Sequence, residues 1–97
     1  MSDGLPEDLA RRIEKAAEAL RAAGAREVYV FGSVARGKTR PNSDVDMAVS
    51  GLPPELFYHA MAKASRALGR SLDLIDLDDD DAFTRYLKEE GELRRVG

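Results

Sequence analysis

Three short runs rich in β-branched and apolar residues punctuate this chain: EVYVF at 27–31, DVDMAV at 44–49 and SLDLIDL at 71–77. Runs of this length and composition predict strands. Segments with apolar residues at three- and four-residue steps surround them, which predicts helices. The first helix spans 6–23, with Pro6 in its first turn and Leu5, Leu9, Ile13, Ala16, Ala17 and Leu20 on one face. Gly24 is its natural stop. A glycine-rich loop with a short helical turn follows the first strand, and Pro41-Asn42 breaks the chain. Ser50 to Pro54 forms a loop. A second long helix spans 54–68, with Phe57, Met61, Ala64 and Leu68 inward and Gly69 as stop. A last helix, about 81–90, is capped by the aspartates at 78–81. The tail after Gly91 has no assignment. The order α-β-α-β-α-β-α predicts an α/β fold, a small mixed sheet flanked by helices.

Ninety-seven residues read as one domain, 1–97, with a modest core. No stretch reaches the ~18 apolar residues of a membrane span. The acidic start, MSDGLPEDLARR, is unlike a signal peptide. The chain has no cysteine, which excludes disulfides and thiolate zinc sites and suits a cytoplasmic protein. A net charge of −3 argues against direct nucleic-acid binding through a basic face. Arg36, Lys38 and Arg40 share one loop, whereas Asp76 and Asp78 to Asp81 make an acidic patch. A basic loop beside acids suits a small anionic ligand with a metal ion.

The loop contains a decoy. Residues 32–39 read GSVARGKT, which fits the phosphate-binding pattern G-x-x-x-x-G-K-[ST]. In a P-loop, the Lys-Thr pair opens a long helix whose N-terminus receives the phosphates. Here Arg40-Pro41-Asn42-Ser43 follows at once and the next strand begins within a few residues. No helix of the needed length fits.

Shifted by a few residues, the same stretch carries another pattern. An apolar strand ends in Phe31-Gly32-Ser33, then comes Val34-Ala35-Arg36-Gly37, then Ser43-Asp44-Val45-Asp46 opens the next strand. A later acid, Asp73, sits in the third strand. This combination resembles the DNA polymerase β-like nucleotidyltransferase superfamily. The form GSxARG…SDxD in so short a chain is similar to its minimal nucleotidyltransferase family. The resemblance implies the polymerase β palm fold. It also implies an Mg2+-dependent transfer of a nucleoside monophosphate, AMP from ATP, onto an acceptor.

Residue chemistry agrees with that implication. Nucleotidyl transfer needs charge neutralisation at the attacking and leaving oxygens, which two ions roughly 3.5–4 Å apart provide. Magnesium prefers hard oxygen donors. Asp44 and Asp46, at i and i+2 on a strand, face one side and can clasp one site. Asp73 on another strand would complete it. By resemblance Asp73 is also the base that draws the proton from the nucleophile. Gly32 clears the way for the β- and γ-phosphates, and Ser33 adds a hydroxyl and an N–H. Gly37 frees the exit of the short helix. Arg36 matches the family's arginine, and its role is open between phosphate contact and pairing with Asp44 or Asp46.

Plainer readings compete. Gly32-Ser33 alone is a turn, and Asp44 alone is a strand-edge cap. Two acids on one face with no evident basic partner favour a cation instead. Asp76 is the rival of Asp73, but its parity puts it on the other sheet face. The 76–81 cluster fails as a calcium loop, because Asp81 holds the glycine position and Leu87 the glutamate position. His59, the single histidine, reads as a surface residue. Lys38 and Arg40 stay open between a solvated loop and a contact to nucleotide or partner.

The resemblance also implies a partner. Minimal nucleotidyltransferases are commonly paired with an all-helical HEPN ribonuclease toxin. As antitoxins, they can attach AMP to one of its tyrosines. The alternative is a non-catalytic nucleotide-binding module that inhibits its partner by contact alone.

Overall fold

The computed structural model describes residues 6–38, 44–90 and 93–96. The predicted helix faces and strand alternation are what assemble it. Helix α1 (Glu7–Ala22) buries Leu9, Ile13, Ala16, Ala17 and Leu20, the face that the 3.6-residue period predicts. Leu5, assigned to the same face, lies outside the described residues. Strand β1 (Glu27–Phe31) follows, then the one-turn helix α2 (Gly32–Ala35). Strand β2 (Val45–Ser50) is next, and a 3-10 turn at Pro54–Leu56 leads into α3 (Phe57–Leu68). Strand β3 (Leu72–Asp76), helix α4 (Ala82–Glu90) and a two-residue strand β4 (Arg94–Arg95) complete the order.

The sheet runs β3-β2-β1-β4. Strand β1 is antiparallel to both β2 and β4, and β2 is parallel to β3. The sheet is therefore mixed, as the sequence predicts. Helices α1 and α3 cover one face. There Val28, Val30, Val45, Met47, Val49 and Leu74 pack against Leu20, Ala60, Ala64 and Leu68 in the main core. Each fully buried leucine contributes roughly 1.5–3 kcal/mol relative to exposure. The other face is thinly covered. Phe31, Ala48, Leu77 and Leu87 form a small second cluster there, with α4 over it. This asymmetry leaves one end of the second face for polar residues.

One expectation is corrected, and one element is added in the unassigned tail. Asp44 does not lie in β2; it precedes the strand and is exposed. Strand β4 has no counterpart in the sequence reading. Arg94-Arg95 has neither apolar alternation nor length, and it forms because β1 offers an edge. Val96 N–H donates to the Val28 carbonyl at 2.8 Å, and Arg21 Nη1 donates to the Val96 carbonyl at 3.0 Å. Gly91 lies outside the described residues.

Candidate functional site

The loop after β1 explains the decoy. Gly32 opens α2 with φ +70°, and Gly37 follows it with φ +73°. Gly37 N–H donates to the Val34 carbonyl at 3.0 Å, and Lys38 N–H to the Ser33 carbonyl at 2.8 Å. That pair of bonds is the Schellman motif, which calls for a left-handed residue where Gly37 stands. The two glycines thus mark the ends of a single turn of helix. Strand β2 begins at Val45, which leaves too little chain after Lys38 for the long helix that a P-loop needs. Thr39, Arg40 and Pro41 to Ser43 lie outside the described residues. Lys38 is exposed, as is Arg36 at the C-terminal end of α2.

Two of the acids, Asp46 and Asp73, come from adjacent strands, and Asp44 stands just before the first of these. In the β2–β3 ladder Asp46 is registered with Asp73, and in the β1–β2 ladder it is registered with Phe31. Directly paired residues on neighbouring strands share a sheet face. That face is the thinly covered one, since Phe31 and Ala48 belong to its cluster. Asp46 is half-buried, whereas Asp44 and Asp73 are exposed. Asp76, the rival acid, is registered with Val49 on the opposite parity.

Gly32 touches this group in a way that sequence reasoning missed. A Cβ at Gly32 would run into the Asp46 carboxylate, with Oδ2 in the space it would need. The position therefore excludes side chains twice, by its positive φ and by its neighbour. The sequence signal was present only as a glycine at a strand end.

Burial raises the carboxyl pKa of Asp46, and the charges of Asp73 and then Asp44 push it further up. All three influences act in one direction. Burial disfavours the charged carboxylate by desolvation, and the two neighbouring acids disfavour it by like-charge repulsion. Among the described residues, no three histidine, cysteine or acidic side chains close into a ready metal cage. The donor chemistry nevertheless fits a divalent cation. The donors are hard carboxylate oxygens, two of them on adjacent strands, and a cation would relieve the repulsion that raises Asp46.

Elsewhere the acids have structural work. Asp81 Oδ1 accepts from Thr84 N–H at 2.8 Å and from Thr84 Oγ1 at 2.6 Å, which caps α4 as predicted. Asp80 pairs with Arg85 at 2.9 Å. Asp78 accepts from Gly51 N–H at 2.8 Å. His59 is exposed on α3. Among the described residues, no helix is long and apolar enough to cross a membrane.

A family profile described as "Polymerase beta, Nucleotidyltransferase" matches residues 14–93. No curated protein matches the chain. Among solved structures, one described as a minimal nucleotidyltransferase superposes with a TM-score of 0.73 and 26% identity, covering 94% of this chain and 93% of that one. A toxin–antitoxin structure with AMP-PNP gives a TM-score of 0.69 at 24% identity, covering 91% of this chain and 72% of the other. A tri-AMPylated HEPN toxin in complex with its MNT antitoxin, from Shewanella oneidensis, gives 0.65 at 20% identity, with coverage of 92% and 71%. The last two likenesses are likenesses of fold.

Proposed function

Because this chain belongs to the polymerase β nucleotidyltransferase family, we propose that it transfers AMP from ATP to a hydroxyl of a partner protein. The observation that carries this reading is the register of Asp46 with Asp73, with Gly32 directly beneath the Asp46 carboxylate. Three chain segments meet there, and their residue types suit a cation and a triphosphate.

In this reading Asp44, Asp46 and Asp73 hold divalent metal, with Mg2+ the fitting ion and two ions the expected number. Bound Mg2+ would neutralise charge on the triphosphate and polarise the phosphorus under attack. Gly32 and Ser33 receive the phosphate tail at the start of α2. Gly37 fixes the end of that turn, and Arg36 faces phosphate or supports the acids. Asp73 takes the proton of the acceptor hydroxyl. The acceptor oxygen attacks the α-phosphorus and pyrophosphate leaves, so the product is a phosphodiester between AMP and the acceptor. The acceptor class is a protein hydroxyl, a tyrosine of a HEPN-type toxin. Two relatives of this fold support that choice, one crystallised with AMP-PNP and one with an AMPylated HEPN toxin. The chain then acts as an antitoxin, in the cytoplasm, as one domain.

The test uses ATP labelled at the α- or the γ-phosphate, Mg2+ and a co-encoded HEPN protein. Protein-bound label from the α-position alone, lost in Asp46→Asn, is the expected result. Toxin neutralisation without label transfer, unchanged in Asp44→Asn and Asp46→Asn, would select the contact inhibitor instead. Free phosphate from the γ-label would point to an ATPase.

A further inference from the structure

Strand β3 is the edge of the sheet opposite β4. Ser71 O accepts from Val45 N–H and Leu77 N–H donates to Val49 O, so the odd-numbered residues of β3 bond toward β2. In a parallel ladder, the even-numbered ones point the other way. The N–H and C=O of Leu72 and Leu74, and the N–H of Asp76, therefore lie on the outer side. Such a row is a template for one more strand.

A groove of about 370 Å³ runs beside this edge, lined by Phe57, Tyr58, Leu74, Asp76, Asp79 and Phe83 among others. Its aromatic walls are open, with Tyr58 76% and Phe83 48% exposed. Its rim is acidic. Asp80 and Asp81 are engaged by Arg85 and Thr84, Asp78 by Gly51, and Asp76 accepts from Asp78 N–H through Oδ1 at 2.9 Å, a bond that brings no positive charge. Asp79 lines the groove, and its side chain has no cationic partner among the described residues. Aromatic walls with an uncompensated acidic rim complement a segment that is apolar and basic at once. The groove also reaches the face of the reaction site, for Ile75, which shares the face of Asp73, lines it, and Phe83 packs edge-on against Phe31 with ring centroids 6.1 Å apart. Five residues laid along β3 would span about 13 Å, enough to run from Asp76 to Leu72.

We propose that this edge docks the acceptor: an extended segment of the partner protein adds beside β3, seats an apolar or aromatic side chain between Tyr58 and Phe83, and sets a lysine or arginine against Asp76 and Asp79. The proposal rests on the transferase reading for the identity of the occupant as acceptor. The groove's preference is testable without it.

The probe is the synthetic peptide Thr-Lys-Val-Tyr-Val-Lys-Thr, titrated into the 15N-labelled full chain without nucleotide or metal. Its counterpart has both lysines replaced by glutamate. Expected are amide shifts concentrated at Leu72, Leu74, Asp76 and the groove aromatics with the basic peptide, and none with the acidic one. Asp79→Lys, a change at an exposed position, should weaken the basic peptide by about two- to five-fold. Shifts located elsewhere, equal binding of both peptides, or no shifts at millimolar peptide would overturn the proposal. A peptide that docks here while the chain transfers no label refutes the transferase reading and leaves the groove's specificity standing.

Discussion

Single residues carry the tension of this site. The pKa of Asp46 is raised on folding by burial, Asp73 and Asp44. Between the unfolded value and the raised folded value, the native state binds more proton than the unfolded state. Stability therefore falls as pH rises through that window, and the ionised carboxylate costs stability at neutral pH. We expect Asp46→Asn to raise the melting temperature at pH 7 by a few degrees and to have little effect below the unfolded carboxyl value, as thermal scans across pH would show. On the proposed transferase reading, the same substitution should also abolish label transfer from ATP. Mg2+ with ATP should raise the melting temperature of the wild type and not that of the variant, a binding readout independent of turnover. Gly32→Ala should destabilise by about 1–2 kcal/mol from its backbone angle alone. The collision with Asp46 adds to that. In an Asp46→Ala background the added part disappears, so urea unfolding of the two singles and the double should be non-additive.

At the scale of elements, the end chemistry of helices was plain in the sequence and the pairing of strands was not. Gly69 after α3 and Asp81 before α4 act as their residue types predict, because capping is a local matter of φ and one or two hydrogen bonds. Hydrogen bonds from Thr84 lower the pKa of Asp81. Asp81→Ala should therefore lower the melting temperature near neutral pH. The difference from wild type should vanish as acid protonates Asp81, which a pH series of thermal scans would reveal. Strand β2 starts one residue later than the alternation predicts, so Asp44 only precedes it. Alternation in DVDMAV extends through Asp44, but the ladder that ends a strand depends on its neighbour.

For the molecule as a whole, the thin second face and the added edge strand decide what is exposed. Strand β4 closes the β1 side of the sheet with two paired residues and with the Val96 bonds to Val28 and Arg21. Removing residues 93–97 should uncover that edge and the side chains of Phe31, Ala48 and Leu77 beneath Leu93. We expect a lower urea midpoint and concentration-dependent association, measured by denaturation and light scattering. The sequence by itself determined the helix faces, the three long strands, the glycine-bounded turn and which acids are candidates, because periodicity, φ preference and donor chemistry are properties of short stretches. Only the tertiary structure decided the strand order, the register that sets Asp46 beside Asp73, the carboxylate over Gly32 and the edge left open at β3. Those depend on which surfaces are buried together, and residues distant in the chain settle that jointly.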